Sequence, residues 1–253
     1  MADQHRGPGE PVHAQVGEIL ELAERAAHSA PTGPHPAREG LDRELREIKA
    51  DILRMGALVE DAIRSATDAL ASHDAEAANA VIAGDRAVND MQRTVSSLIV
   101  ATIATQQPVA RDLRFLMALD HVTYELERMG DHAGSVAKQA RKLAPRVPLP
   151  ASPALPEMGE IAAQLVHGVL RALVDIDPVR ARTVALRDDE IDEIYHRTFG
   201  EVLDLMRADP ENVDSGARIL FAAHYIERIG DRMTNIAEDV VFLASGEIED
   251  LNP

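Results

Sequence analysis

Apolar residues recur at alternating three- and four-residue steps along most of this chain. From Leu41 to Ser72 the series is Leu45, Ile48, Ile52, Met55, Val59, Ile63 and Ala66. A second series, Val81, Val88, Met91, Val95, Leu98 and Ile99, follows Asp74 and runs to about Thr105. A third, Leu119, Val122, Leu126, Met129, Ala133 and Val136, ends near Leu143. Such spacing is a heptad seam, the pattern of helices packed nearly parallel in a bundle. Asp74 is placed to cap helix two, and Pro108 to occupy the first turn of helix three.

Ala144 to Pro156 interrupts the pattern with five prolines and marks a domain boundary. Beyond it the pattern resumes. Helix four runs from Pro156 or Glu157 to about Asp175. Asp177-Pro178 opens helix five, which Asp209-Pro210 ends. Helix six carries Ile219, Ala222, Ile226, Ile229, Met233, Ile236, Val240 and Leu243, and stops at Ser245-Gly246. The halves repeat one another. Met55-Gly56 recurs as Met158-Gly159, Asp74 as Asp177, and Val88-Asn89 as Ile191-Asp192, each 103 residues on. The expectation is an all-α fold of two tandem, pseudo-symmetric three-helix bundles with six long helices, over residues 41–145 and 154–246. Residues 1–40, rich in Pro and Gly, read as an appendage, with one candidate amphipathic helix between Val12 and His28.

The repeat is sharpest in one phrase. Glu125-Leu126-Glu127-Arg128-Met129-Gly130-Asp131-His132 returns as Tyr225-Ile226-Glu227-Arg228-Ile229-Gly230-Asp231-Arg232, 100 residues on. Glu127 with Asp131, and Glu227 with Asp231, are one helical turn apart, opposite the apolar seam. Like charges at that spacing cost a few tenths of a kcal/mol, and a mid-helix Gly costs roughly 1 kcal/mol against Ala. Two copies of both costs point to a cation that neutralises the acids and to close approach at Gly130 and Gly230. Oxygen-only ligands suit Mg²⁺, Mn²⁺, Ca²⁺ or iron. A solvated acidic face is the alternative, with Arg128 and Arg228 offsetting the charge.

Asp85 and Asp188 occupy equivalent positions on the middle helices. They read as surface acids that could also approach the carboxylate face. His132 and His224 flank the phrases without counterparts (Arg232 and Tyr124); either could ligate a metal, but both read as hydrogen-bonding surface histidines. Glu193-x-x-His196 matches half of a di-iron motif. Its counterpart is Asp90 and Arg93, so the motif is not repeated, and both residues read as surface. Glu10-x-x-His13 lies in the appendage.

Composition narrows the function. Aromatics make up 3% with no Trp, so cores must be aliphatic. The net charge of −17 argues against nucleic acid and anionic membranes and for metal or basic protein partners. The absence of cysteine excludes disulfides, thiol catalysis and Cys-based zinc sites. No apolar run is long enough for a membrane span, and a cytoplasmic protein is expected. No nucleophile-base arrangement or phosphate loop stands out, so an enzyme is not expected.

The twin phrase, together with Gln107-Pro108-Val109-Ala110-Arg111-Asp112-Leu113-Arg114 and Met55-Gly56, resembles the PhoU phosphate-uptake regulators over about Leu41 to Ser245. The resemblance implies two three-helix bundles with metal sites at Glu127/Asp131 and Glu227/Asp231, in some members multinuclear iron or zinc. It also implies a cytoplasmic adaptor, often a homodimer, between a phosphate ABC transporter ATPase and a sensor histidine kinase, holding the phosphate-starvation response off. A metal-dependent enzyme or a metal-binding scaffold on the same fold are the alternatives. The family's signature continues with Asn and then an acid. Asn235 and Glu238 fit the second copy, but the first has Gly134, Ser135 and Lys138. The first site is therefore expected to hold metal more weakly or not at all.

Overall fold

A computed structural model of the protein describes residues 36–149 and 154–252. The stretch from Val12 to His28 and the Glu10/His13 pair lie outside the described residues. Helix α1 spans Pro36–Ser72, α2 Ala75–Gln106, α3 Ala110–Leu143 and α4 Ala154–Asp175. Then follow α5 Pro178–Ala185, α6 Asp188–Ala208, a 3₁₀ turn Pro210–Asn212 and α7 Val213–Ser245. The architecture is all-α, as the periodicity predicts, and no described helix is long and apolar enough to cross a membrane.

The caps explain most boundaries. Asp74 accepts hydrogen bonds from the backbone N–H groups of Glu76 and Ala77, at 2.9 and 3.0 Å. Asp177 does the same for Val179 and Arg180, both at 3.0 Å. Gly246 closes α7 with φ of 81° and an N–H bond to the Phe242 carbonyl. Two details differ from expectation. Pro108 precedes the N-cap Val109 of α3 rather than sitting in its first turn. The predicted fifth helix is interrupted at Leu186-Arg187, where the Arg187 and Glu190 N–H groups bond three residues back, to the Val184 and Arg187 carbonyls. The break puts Asp188, Asp189 and Glu190 in the first turn of α6, where the exposed N–H groups favour negative charge.

The seams pack as one continuous aliphatic core that joins both three-helix units. Leu119, Val122, Leu126, Met129, Ala133 and Val136 are buried, as are Ile226, Ile229, Met233, Ile236 and Val240. Between the units, α1 packs on α4 and α3 on α7. At the first contact the repeated glycines do the fitting. A Cβ on Gly56 would fall 2.1 Å from Leu170, and one on Gly159 would fall 2.4 Å from Thr67. Each helix inserts a side chain over the other's glycine, so the Met-Gly repeat is a packing device. A charged group spans this contact too. Arg64 on α1 donates to Glu160 on α4 (2.9 Å) and to the fully buried Glu60 (3.3 Å).

Helices α3 and α7 run antiparallel through the centre. Arg114 stacks on Phe242 near one end, and His132 stacks on Tyr225 toward the other. Helices of 34 and 33 residues crossing in this sense bring the two phrases side by side, with His132 on Tyr225 and Arg232 beside Glu125.

Candidate functional site

The α3–α7 seam is held by charge. His121 Nδ1 lies 2.7 Å from Asp239 and its Nε2 lies 3.3 Å from Glu125, while Arg232 reaches Glu125 at 3.4 Å. Hydrogen bonds to Asp239 and then Glu125 push the His121 imidazole up to about 10. His132, predicted as a hydrogen-bonding surface histidine, is instead partly sunk in this seam. Its Nε2 is buried without a hydrogen bond. Burial, then the Arg232 and Arg228 charges, lower it to about 4, so the ring is neutral.

From the seam the acids of the two phrases diverge. Glu127 and Asp131 turn toward α2 and meet Asp85. Glu227 and Asp231 turn toward α6 and meet Asp188 and Asp192. The six acids singled out from the sequence therefore form two clusters of three, one per unit. Each phrase also carries its own partial counterion, as the next turn dictates. Arg128 Nε lies 2.8 Å from Glu127 and Nη1 3.4 Å from Asp131. Arg228 lies 2.7 Å from Asp231. The arginines offset charge on their own helix, not on neighbouring helices.

That offset is incomplete. Asp85 Oδ1, Asp188 Oδ1 and Glu227 Oε2 are buried and make no hydrogen bond, whereas Glu127 Oε2 is the oxygen that Arg128 Nε meets. Burial is the largest cause raising the protonation pKa of Asp85, Glu127, Glu227 and Asp192, with Asp131 or Asp231 next in each. Asp188 is pushed up to about 7 by burial, then by Asp192 and Asp231. An oxygen that is buried, acidic and unpaired costs about 1–3 kcal/mol or more. A hard or borderline cation removes that cost, so the residues present fit a metal. Among the described residues no three such groups already stand in ligating geometry; the fit lies in the donor set and its unpaired oxygens.

The reading of Asp188 as a surface acid is corrected by the fold. It is 6% exposed, because the break after α5 turns the start of α6 inward over Gly230. A Cβ on Gly230 would lie 2.0 Å from Asp188 Oδ1, so the phrase's glycine makes room for a carboxylate. In the first copy a Cβ on Gly130 would lie 3.1 Å from Val88 Cγ1, and Asp85 Oδ1 lies near Gly134 instead. Asp85 is also tied by Asn89, whose amide donates at 2.9 Å, and opposed by the charge of Lys138. Ser135 donates to the Asp131 carbonyl at 2.9 Å and is turned back onto its own helix.

Two features escape the sequence reading. Asp192 joins the second cluster, and its signal was its equivalence to Asn89. The chain after Gly246 folds back along α7. Glu249 pairs with Arg182 through contacts as short as 2.6 Å, and the Leu251 N–H donates to Glu238 at 2.9 Å. This segment walls an open groove of about 580 Å³ with Asp231, Asn235 and Glu238. Glu193 and His196 are exposed, as predicted.

The fold and the repeat are shared with known proteins. The sequence model of the PhoU domain matches twice, over residues 52–140 and 155–240, one match per three-helix unit. A "Phosphate-specific transport system accessory protein PhoU homolog" of Clostridium acetobutylicum is 34% identical over 216 residues, covering 85% of this chain and 99% of the relative. The protein of the same description from Streptococcus pneumoniae is 33% identical over 215 residues, covering 85% and 100%. The crystal structure of PhoU from Pseudomonas aeruginosa superposes with a TM-score of 0.77 at 32% identity, covering 82% of this chain and all of that one. The phosphate transport system regulatory protein PhoU of Streptococcus pneumoniae gives 0.78 at 31% identity, covering 83% and 99%. The twin phrase, the paired bundles and these matches together place the chain in the PhoU family.

Proposed function

We propose that the protein is a cytoplasmic metal-binding adaptor that negatively regulates phosphate uptake and the phosphate-starvation response. It couples a phosphate ABC transporter ATPase to a sensor histidine kinase, as a homodimer and without catalysis of its own. The observation that carries the metal reading is three buried carboxylate oxygens without a hydrogen bond, Asp85 Oδ1, Asp188 Oδ1 and Glu227 Oε2, on the faces that carry the two phrases. Family membership carries the phosphate reading, since the relatives are described as phosphate-specific transport system accessory proteins.

Glu127, Asp131 and Asp85 would hold an ion between α2 and α3, and Glu227, Asp231 and Asp188 one between α6 and α7. Such an ion, of iron, zinc, magnesium or manganese type, supplies positive charge that neutralises the acids and lets a helix pair lock in one arrangement. The chain's own residues do the rest. Arg128 and Arg228 hold Asp131 and Asp231 in place, and the glycines admit the middle-helix acids.

The test is an affinity pull-down from phosphate-replete cells. Wild type is run beside Glu127→Gln/Asp131→Asn/Glu227→Gln/Asp231→Asn, with metal read on both baits by mass spectrometry. Transporter ATPase or sensor kinase recovered with metal-loaded wild type, and lost with the variant, is the expected result. Recovery of neither partner while metal remains bound would move the metal-dependent enzyme or scaffold readings ahead.

A further inference from the structure

The two acidic sites are related by the repeat, yet their surroundings are not. At the outer end of the second site the chain gathers rings, which are scarce in its composition. His224, one turn before Glu227, brings its Nδ1 to 3.3 Å from Glu227 Oε2, the same oxygen that makes no hydrogen bond. The ring of Tyr195 on α6 neighbours both this imidazole and that of His196, with centroids 6.2 and 5.7 Å away. His196 follows Asp192 by one turn on the same helix face, and its charge bears on both Asp192 and Glu227. Both imidazoles are exposed enough to rotate without repacking the core.

Deeper in the same site lies Asp188. It is 94% buried, being 6% exposed, and its Oδ1 has no partner. Its charge neighbours are Asp192, Asp231 and Glu227; Oδ1 rests against Gly230, and only the other oxygen accepts a hydrogen bond, from Thr234 Oγ1 at 3.5 Å. The first site is built differently. The positions of His224 and His196 are taken there by Tyr124 and Arg93, and Tyr124 is covered by the Arg128 guanidinium at 5.2 Å. Lys138 adds an ammonium that already opposes the Asp85 charge. The first site thus has oxygen donors and a resident cation. The second has oxygen donors, two imidazoles and no lysine at the Lys138 position, which is Glu238.

We propose that the second site is a mixed nitrogen–oxygen metal site. His196 and His224 join Glu227 at its outer end, and it selects a borderline transition ion of the zinc class, while the first site stays oxygen-only and takes a hard ion. The chemical basis is ligand type. Neutral imidazole suits Zn²⁺, Co²⁺ and iron, whereas carboxylate and water suit Mg²⁺ and Mn²⁺. The inference rests on the metal-binding reading above and sharpens it to two unlike sites.

The test uses the full chain stripped of metal, with Co²⁺ as the zinc-class probe and Mn²⁺ as the hard one. Wild type is compared with His196→Ala/His224→Ala and with Asp85→Asn/Glu127→Gln. In wild type, Co²⁺ loading should bring imidazole N–H resonances into the paramagnetically shifted region of the proton NMR spectrum. The double histidine variant should lose those resonances and about tenfold or more in Co²⁺ affinity, with Mn²⁺ affinity unchanged. The first-site variant should keep the resonances and lose Mn²⁺ affinity. Co²⁺ bound equally well by wild type and the histidine variant, without shifted imidazole signals, overturns this inference and leaves the metal reading standing. No binding of either ion to wild type overturns both.

Discussion

The two halves of this protein start from one sequence phrase and end in different electrostatic states. In the first, Asp85 sits in the middle of the unbroken α2, tied by Asn89 and opposed by Lys138. In the second, the helix is broken, and Asp188 is turned under the phrase with one carboxylate oxygen unpaired. A duplicated motif thus preserves the acids while the supporting helix sets what they experience. The difference is one of support. Val88 fills the space over Gly130, whereas a carboxylate fills it over Gly230.

The same asymmetry holds where the units join, and the largest expected effect is there. Glu60 is fully buried on α1, and its counterpart 103 residues on, Ala163, is a buried methyl. Arg64→Ala should leave Glu60 without its guanidinium and cost about 3–5 kcal/mol, by analogy with broken buried pairs. Urea denaturation would measure it, and a loss below 1 kcal/mol would mean that His167, 3.5 Å from the other Glu60 oxygen, carries the pairing instead. Next comes Gly230→Ala, which must displace Asp188. A net loss of about 1–3 kcal/mol is expected, against a change near zero for Gly130→Ala, where helix propensity returns roughly 1 kcal/mol. Equal effects on thermal unfolding would erase the distinction between the two copies.

A smaller effect tests the charge imbalance directly. Asp188→Asn should raise the melting temperature of metal-free protein, because it removes an acid crowded by Asp192 and Asp231. It should also reduce the further rise on adding metal to the share that the first site supplies. Asp85→Asn should stabilise the metal-free protein less, since Lys138 already opposes that charge. The smallest effect concerns the seam that both units share. The His121 pKa is raised in the folded state, from 6.5 to about 10. Its contribution is therefore complete below pH 6.5 and lost as pH rises through about 10. His121→Gln should flatten the pH dependence of stability between those values. Because the ring is half-exposed, the slope should also weaken in high salt. An unchanged slope would remove His121 from the seam's energetics.

Much of this was legible in the chain itself. Heptad spacing, the capping Asp74 and Asp177, and Gly246 mark the helices, because these signals act over one or two turns. The repeat located the two acidic clusters, since a carboxylate pair one turn apart is a local fact of helix geometry. The burial of Asp188, the inclusion of Asp192, the neutral His132 and the folding back of Glu249 onto Arg182 were not legible. Each depends on which helix lies opposite, and periodicity along one helix carries no information about the face of another. Glu60 and Arg64 make the same point. They sit among seam residues as if they were errors in the pattern, until α4 brings Glu160 across to meet them.

By itself, then, the sequence determined the helices, their duplication and the acids of the twin phrase, because these rest on contacts within a turn. Only the tertiary structure decided which acids are buried together, which carry a counterion and which face imidazoles. Desolvation and pairing are properties of the space between helices, and that space exists only once α2 meets α3 and α6 meets α7.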